Sequence, residues 1–470
     1  MISKKNITNF FFLSAAEGIG NVFFLVSLIW LARVAGSEAL GQVTFARAII
    51  QYLLLFVNAG LELYAIREGS RRPSHITNLI NTFISLRLIL VLLGFVLLTA
   101  ILALAPLTAG TKQVLLLFGG MMIATGLLLE WPFQAVEKMH FSAVGRILAE
   151  AVSLVVVIFF IRCAGDVFWV PLGRFAGTGM QLALLLLICL RMFGKIRLEW
   201  QPAKWSGILK ESLPMAAGFI MVQVYSYTDN ILLGFIRSEE EVGFYSAAYK
   251  IVMAVVLVGV VYHRVVYPSL SRLFHASSEK MDILVVKSLK LMVIVGLPIV
   301  AGFWLFASDL IRLLYKEGFD PSIPIFQILM LKVPLMWVNG LIANAALASN
   351  QEKRYLFSVG IGAGTNFTLN LVLIPLLGMK GAAVATILSE CAVFGYFFIV
   401  YLVRIKVAVR RDIRVLAAAV LISASAYTGL SQFFPQKFVR FLFLCFFYSL
   451  ILCIFKTLNI KRIFGIVRGQ

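Results

Sequence analysis

The sequence predicts an all-α polytopic membrane protein with fourteen transmembrane helices, and three observations support this. First, 61% of the 470 residues are hydrophobic and 14% are charged, whereas soluble domains are about 45–50% apolar and about 25% charged. Second, apolar runs of about 20 residues, the length that spans a bilayer, recur along the chain. Third, basic residues concentrate at alternate ends of these runs, as they do in cytoplasmic loops.

The apolar runs define the predicted spans in order. The first begins soon after Lys4 and Lys5 and is long enough to be retained as a helix, so no cleaved signal peptide is expected. The connections are short and none could fold as a catalytic domain, which predicts that the protein is not an enzyme. The fourteen predicted spans cover residues 9–32, 39–62, 79–104, 113–133, 143–162, 167–190, 209–236, 241–266, 287–308, 322–348, 354–376, 380–403, 413–430 and 438–457.

The distribution of basic residues between the two ends of the spans predicts how the spans are oriented in the membrane. With the N-terminus placed in the cytoplasm, roughly two thirds of the 42 basic residues fall on the cytoplasmic side. The even number of spans then places the C-terminus in the cytoplasm as well. This bias accounts for the net charge of +20 without nucleic acid as a partner.

Motifs for a metal, a cofactor or covalent catalysis are missing from the sequence. The five cysteines form no CxxC pair. There is no His/Cys spacing typical of a metal site, no P-loop and no nucleophile elbow. The sequence therefore predicts no metal site, no cofactor and no catalytic residue.

Two short segments indicate an internal repeat. "GQVTFARAII" (Gly41–Ile50) aligns with "GFYSAAYKIV" (Gly243–Val252), and each follows an acidic turn that opens an even-numbered helix. The offset of about 200 residues equals six helices, which predicts a parallel repeat about an axis normal to the membrane. The predicted domains are an N-terminal six-helix lobe (1–200), a C-terminal six-helix lobe (201–410) and two additional helices (411–470).

Charged residues inside the spans are the candidate functional groups. A charge at the bilayer centre costs at least about 2.5–3.5 kcal/mol, so such groups usually face a protein interior or a water-filled cavity. Arg47, Lys250 and Lys332 lie well inside the second, eighth and tenth spans. We expect these three cations to line one hydrated cavity that accepts an anionic substrate; the alternative is interhelical hydrogen bonding that holds the bundle together.

Other charges have simpler interpretations. The "EEE" turn (Glu239–Glu241) is predicted to be a solvated hairpin in which glutamate favours the start of the next helix. The residues close to span ends could snorkel to the interface or pair locally, and these are Glu62, Arg87, Glu130, Glu150 and Glu390.

Polar residues at helical spacing extend the predicted cavity. Asp229 and Glu17 could titrate or bind a cation and so couple transport to an ion gradient. The alternative for the uncharged residues is interhelical hydrogen bonding that holds the bundle together. The predicted cavity-lining residues are Asn21, Gln223, Tyr227, Asn230, Asn339, Asn366 and Asn370.

Four motifs, in order along the chain, carry a family resemblance. They are "GLELYAIRE" (60–68), "WPFQAVEKM" (131–139), "TDNILLGFIRSEEEVGFYSAAYKIV" (228–252) and "NLVLIPLLGMKGAAVATILSE" (370–390). With these motifs the chain resembles bacterial Wzx-like polysaccharide and O-antigen flippases. These proteins form a branch of the multidrug/oligosaccharidyl-lipid/polysaccharide (MOP) exporter superfamily.

The resemblance implies a fold, a substrate and a location. The fold would be a V-shaped bundle of two six-helix lobes plus two helices, like that of multidrug (MATE) exporters and lipid II flippases (MurJ). The substrate would be an undecaprenyl-diphosphate-linked oligosaccharide, moved by alternating access from the cytoplasmic to the outer leaflet of the bacterial inner membrane. From the internal cations, rather than from the motifs, we expect its diphosphate and acidic sugars to be bound by Arg47, Lys250 and Lys332, with Arg174 as a further candidate. The family motifs include Asp229 and Lys250 and do not include Lys332.

The resemblance also implies partners. The last two helices could hold the lipid tail of the substrate in a groove. Membrane lipid is a further partner, H⁺ or Na⁺ could be the coupling ion, and polysaccharide polymerase or glycosyltransferase machinery could dock. A multidrug exporter and a lipid II-type flippase of the same superfamily are the alternative functions. Internal cations disfavour an exporter of cationic drugs, and the missing catalytic loop disfavours a glycosyltransferase. A scaffold would leave the internal charges unexplained.

Overall fold

Residues 4–402 and 436–454 are described by a computed structural model of the chain, and helices account for most of them. Short 3-10 turns precede α3, α7 and α12, and a π-helical turn follows α15. The α-helices, numbered in chain order, are α1 Lys4–Asn58, α2 Leu61–Arg71, α3 Ile76–Leu104, α4 Ala109–Gly126, α5 Trp131–Ala135, α6 His140–Phe160, α7 Trp169–Phe193, α8 Pro202–Ile236, α9 Glu239–Ala276, α10 Ser278–Leu305, α11 Ala307–Tyr315, α12 Ser322–Met330, α13 Lys332–Ala348, α14 Glu352–Leu377, α15 Met379–Phe397 and α16 Lys437–Ile454.

The predicted spans fall on these helices. The first two meet inside α1 at Gly36, whose φ of 87° interrupts the helix and favours glycine. The thirteenth span (413–430) lies outside the described residues. Among the described residues, ten helices are long and apolar enough to cross a membrane, or eleven if one bent pair is counted as a span. A polytopic all-α membrane protein is therefore confirmed, while the count of fourteen and the cytoplasmic termini stay predictions.

The described chain groups into two compact units by its contacts. Unit 1 comprises the described residues within 1–247, 314–322 and 366–382, and unit 2 comprises those within 248–313, 323–365 and 383–470. These ranges follow contacts rather than the sequence repeat. The division into lobes at residues 200 and 410 therefore stays a prediction.

Unit 1 contains an aromatic core beneath the surface helix α2. Leu61 and Ala65, four residues apart on one face of α2, are both buried, as the period of an amphipathic helix requires. They belong to a cluster with Phe83 and Trp131, whose rings lie 5.5 Å apart. This core holds α2, α3 and α5 together.

A close helix crossing joins α1 and α9 in unit 1. A Cβ added to Gly41 would overlap the carbonyl oxygen of Glu239, and one added to Gly243 would overlap that of Ser37. Three residues further along each helix, the hydroxyl of Ser246 donates to that of Thr44 at 3.0 Å. Small residues therefore allow the two backbones to touch, as in many membrane helix pairs.

The glutamates lie in a hairpin at the start of α9, as predicted, but they are not merely solvated, and that part of the prediction is wrong. Glu239 accepts hydrogen bonds from Thr108 (2.5 Å), from Thr111 and from Gln42 (2.9 Å). Glu241 accepts from the backbone N–H of Met379 at 2.9 Å, at the start of α15. The turn thus ties together helix ends within unit 1.

Unit 2 is organised around the side chain of Trp337 on α13. Its indole N–H donates to the Val256 carbonyl at 3.1 Å, and its backbone carbonyl accepts from His263 at 2.9 Å. Its ring lies against Gly259 and Gly296, which have no side chains to obstruct it. Glycine on α9 and α10 therefore makes room for the largest side chain of α13.

The α1–α9 crossing generates a stability prediction. We expect Gly243→Ala to destabilise the protein by about 1–3 kcal/mol or more, because the new methyl group meets backbone that cannot rotate away. Thermal unfolding of the purified protein measures this. Gly179→Ala on α7, which has open space around its Cα, is the control and should unfold at or above the wild-type temperature. Equal unfolding temperatures for the two variants would contradict the close crossing.

Candidate functional site

Two arginines share one aromatic ring in unit 1. The guanidinium carbon of Arg47 on α1 lies 3.8 Å from the ring centroid of Phe24, and that of Arg174 on α7 lies 4.5 Å from it. Cation–π contacts of this kind contribute about 0.5–2 kcal/mol each, depending on desolvation. We call Phe24, Arg47, Glu150 and Arg174 the arginine cluster.

Arg174 has an ionic partner in the cluster. Its guanidinium donates to Glu150 on α6 at 2.5 Å, and both side chains are largely buried. The second carboxylate oxygen of Glu150 is buried without a hydrogen-bond partner among the described residues. The local pairing predicted for Glu150 is therefore confirmed, and Arg174 is neutralised by it.

Arg47 is less well satisfied than Arg174. Two of its nitrogen atoms, Nε and Nη1, are buried and have no hydrogen-bond partner within the described part of the chain. Arginine carries five N–H donors in a planar fork. With two arginines and one glutamate, the cluster has one positive charge in excess. Such an arrangement suits an anion that can accept from Arg47 and interact with Arg174.

A second polar network in unit 1 lies next to the cluster along α6. Glu130 accepts from Arg146 at 2.7 Å and from Gln181 at 2.7 Å. Arg87 donates to the carbonyl oxygen of Leu128 at 2.7 Å. Local partners were expected for Glu130 and Arg87, and these contacts confirm them.

Asp229 on α8 is the centre of a buried hydrogen-bond network in unit 1. Its carboxylate accepts from Tyr245 (2.5 Å), from Asn370 (2.6 Å) and from Asn366 (3.1 Å). The side-chain amide oxygen of Asn370 is buried without a hydrogen-bond partner among the described residues. One carboxylate thereby joins α8, α9 and α14.

The predicted site residues of unit 2 are at least half-buried, and two of them contact residues of neighbouring helices. Lys332, 2% exposed, places its ammonium 4.4 Å from the ring centroid of Tyr249. Asn339 donates to the carboxylate of Glu390 at 2.8 Å. Lys250 is half-buried. These contacts fit the alternative of interhelical bonding for Asn339.

The other predicted residues are distributed along α1 and α8. Asn230 accepts from Ser246 at 3.1 Å. Asn21 is exposed, whereas the partly buried residues are Glu17, Gln223 and Tyr227.

The structure brings some of the predicted site residues together, whereas the grouping of the others in one cavity stays a prediction. Arg47 and Arg174 lie together in unit 1, whereas Lys250 and Lys332 belong to unit 2. The expectation of one cavity shared by Arg47, Lys250 and Lys332 therefore stays a prediction. So do the substrate and ion roles of all these residues.

Two members of the arginine cluster were not singled out as site residues from the sequence. Phe24 lies in an apolar run where nothing distinguishes it, although it follows Asn21 by three residues and so shares its helix face. Glu150 is expected to snorkel or to pair locally, and its spacing of four from Arg146 places both on one face of α6. That spacing does not indicate the contact with Arg174, because Arg146 pairs with Glu130 instead.

Comparison with solved structures defines the class of fold. The chain matches a lipid II flippase MurJ in an inward closed conformation with a TM-score of 0.75 and 16% identity, covering 94% of this chain and 98% of the other. It matches an inward-facing multidrug resistance MATE transporter of the MOP superfamily with a TM-score of 0.65 and 15% identity, covering 81% and 93%. The chain therefore shares the fold of the MurJ and MATE structures.

Sequence comparisons define the family. Residues 7–274, more than half of the chain, match the family described as polysaccharide biosynthesis protein, and residues 214–372 match the MatE family. A protein of Escherichia coli (strain K12) named as an O-antigen transporter is 23% identical over 396 residues, or 82% of this chain and 94% of that protein. A protein of Haloferax volcanii named as the flippase AglR is 29% identical over 169 residues, 35% of each chain.

The chain belongs to the polysaccharide biosynthesis protein family. The resemblance read from the four motifs is thereby confirmed. The related proteins are transporters and flippases rather than enzymes, in agreement with the sequence prediction.

Proposed function

We propose that this protein is a flippase for an undecaprenyl-diphosphate-linked oligosaccharide, and that the arginine cluster binds the diphosphate. The observation that carries the proposal is the pair of guanidinium groups on Phe24, one of which has two buried nitrogens without partners. The family match and the O-antigen transporter relative support a lipid-linked glycan as cargo. Transport would run from the cytoplasmic to the outer leaflet of the bacterial inner membrane.

The chemistry of arginine supports a diphosphate ligand. The planar guanidinium fork matches two phosphate oxygens at once and remains charged at any cellular pH. Hydrogen bonds to a charged group contribute about 1.5–3 kcal/mol each. Arg47 would supply the free donors, and Phe24 holds its guanidinium plane in place. Lys250 and Lys332 are proposed as further ligands for the diphosphate or for acidic sugars.

Glu150 is proposed as an internal competitor of the substrate. It occupies Arg174 at 2.5 Å, so an incoming diphosphate would compete with a carboxylate that is already bound. A transported ligand must bind well enough to enter and weakly enough to leave. Competition by Glu150 would keep the affinity in that range.

Asp229 is proposed as the group that couples transport to H⁺ or Na⁺, with Glu17 as a second candidate. A carboxylate surrounded by Tyr245, Asn366 and Asn370 could either take up a proton or, with amide oxygens turned toward it, bind a hard cation through oxygen ligands. Either event would alter the bonds that join three helices. Contacts with membrane lipid and with polymerase or glycosyltransferase machinery are part of the proposal.

Removing the charge of Arg47 tests the substrate site. We expect Arg47→Gln to lower the rate of lipid-linked oligosaccharide flipping at least about tenfold, since it removes charge-assisted bonds to the diphosphate. The measurement is a leaflet-specific assay of the labelled intermediate in a strain whose own copy is deleted. Arg191→Gln, an exposed arginine on α7, is the control and should transport normally. Unchanged leaflet distribution accompanied by raised drug sensitivity in the deletion strain would instead favour a multidrug exporter.

Removing the carboxylate of Glu150 tests the competition. We expect Glu150→Gln to bind a polyprenyl diphosphate about tenfold more tightly, because Arg174 no longer has an ionic partner, and to release it more slowly. Titration of the purified protein in nanodiscs gives the affinity, and Glu352→Gln, an exposed site, is the control. Weaker binding by Glu150→Gln would mean that Glu150 positions Arg174 for the substrate.

Neutralising Asp229 tests the coupling. We expect Asp229→Asn to keep the shape of the network and to make transport insensitive to an imposed pH or Na⁺ gradient. Flipping into liposomes with and without each gradient measures this, with the exposed Asp309→Asn as the control. A variant that keeps the wild-type response would remove Asp229 from the coupling role and leave Glu17→Gln to be examined in the same way.

A further inference from the structure

A polar pocket of about 420 Å³ lies between three helix segments of unit 1. Its walls are the surface helix α2, the beginning of α3 and the beginning of α8. They include Tyr64, Glu68, Arg72, His75, Lys204 and Glu211. We call this the α2–α8 pocket. It shares no residue with the arginine cluster or with the Asp229 network.

The acidic charges of the α2–α8 pocket are neutralised by neighbours. Arg67 donates to Glu211 at 2.7 Å and to Glu68 at 3.2 Å. Arg71 donates to Glu68 at 3.2 Å. Each carboxylate nevertheless keeps free lone pairs, because an ionised carboxylate has about four acceptor positions.

The basic charges of the pocket are not neutralised. The side chains of Arg72 and Lys204 make no ion pair or hydrogen bond with any described residue, and both are exposed at the pocket rim. His75 lies on the same wall. Two glutamates balanced by two arginines therefore leave an excess of two positive charges. That excess favours an anionic ligand.

The surroundings of the pocket indicate the depth of a lipid headgroup. Trp200 and Leu198, in the connection before α8, are 74% and 68% exposed. The Trp200 ring lies 4.9 Å from that of Trp205, the residue after Lys204. Leu63, which precedes Tyr64 on α2, is also exposed. Exposed tryptophan and leucine beside lysine and arginine are typical of the membrane–water interface.

From the unpaired cations, the spare carboxylate acceptors and the interfacial position, we propose that the α2–α8 pocket binds a phosphate-bearing headgroup of the cytoplasmic leaflet. Arg72 and Lys204 hold the phosphate by charge-assisted hydrogen bonds. Glu68 and Glu211 accept from hydroxyl groups next to the phosphate. Both a glycosyl phosphate of a lipid-linked sugar and the glycerol phosphate of an anionic phospholipid have this chemistry. The site goes beyond the proposed transport function.

Binding of small probes to the purified full chain tests the proposal. The probes are dihexanoyl-phosphatidylglycerol, glucose 1-phosphate and inorganic phosphate, followed by the fluorescence of the nearby tryptophans. We expect the double variant Arg72→Gln/Lys204→Gln to bind at least tenfold more weakly than wild type. The matched control, Lys138→Gln/Lys210→Gln, removes two exposed lysines that do not line the pocket and should bind like wild type. Repeating the comparison in an Arg47→Gln background separates this pocket from the arginine cluster.

The pattern of probes identifies the source of the phosphate. Preference for phosphatidylglycerol indicates a membrane lipid, and preference for glucose 1-phosphate indicates the sugar phosphate of the cargo. If inorganic phosphate binds as tightly as either probe, the proposal of a headgroup is overturned, because the contacts of Glu68 and Glu211 with hydroxyl groups then contribute nothing. The proposal is overturned if no probe binds the wild-type protein, or if the double variant folds, as judged by thermal unfolding, and binds like the control.

Discussion

A polar group buried inside a membrane protein must find its partner within the protein, and this constraint organises the described part of the chain. Hydrocarbon offers no hydrogen bonds, so an unsatisfied group costs several kcal/mol. Glu130 meets this requirement with Arg146 and Gln181, and Asp229 meets it with three donors. The helices are therefore joined at a few polar points, while the apolar surface between them faces lipid or packs.

Close backbone contact between helices is the second interaction that holds unit 1 together. Gly41 and Gly243 allow α1 and α9 to touch, and Thr44 and Ser246 close the contact with a hydrogen bond. The two glycines occupy matched positions in the aligned segments of the sequence, and so do the two hydroxyl residues. A two-fold axis between the segments would produce this reciprocity. The repeat remains a prediction, but the crossing gives it a physical reason, since only small residues at both positions permit the approach.

The sequence was sufficient to predict where the helices lie, but it did not show which residues of different helices contact each other. Apolar run length predicts where a span lies, and it located the described spans without any knowledge of packing. It could not show that Glu150 lies against Arg174 or that Phe24 lies beneath Arg47, because such pairs depend on how each helix is rotated toward its neighbours. The prediction that the glutamates at residues 239–241 are only solvated was wrong for the same reason, because their partners Thr108 and Met379 are distant in sequence. The break between the first two spans was predicted between residues 32 and 39, and the structure places it at Gly36, where the φ of 87° favours glycine.

The arginine cluster, proposed to bind substrate, and the Asp229 network, proposed to couple an ion, differ in how completely their polar groups are hydrogen-bonded. Asp229 is saturated with donors, so it has no need of an anionic or polar cargo. Arg47 retains buried donors, so an anion would relieve a cost that the protein bears without it. If a diphosphate replaces Glu150 on Arg174, the arginine keeps an anionic partner in both states and the exchange costs little. The displaced carboxylate of Glu150 is then buried without a counter-charge. It must then find another hydrogen-bond donor, which would link occupancy of the proposed substrate site to the contacts of Glu150 on α6.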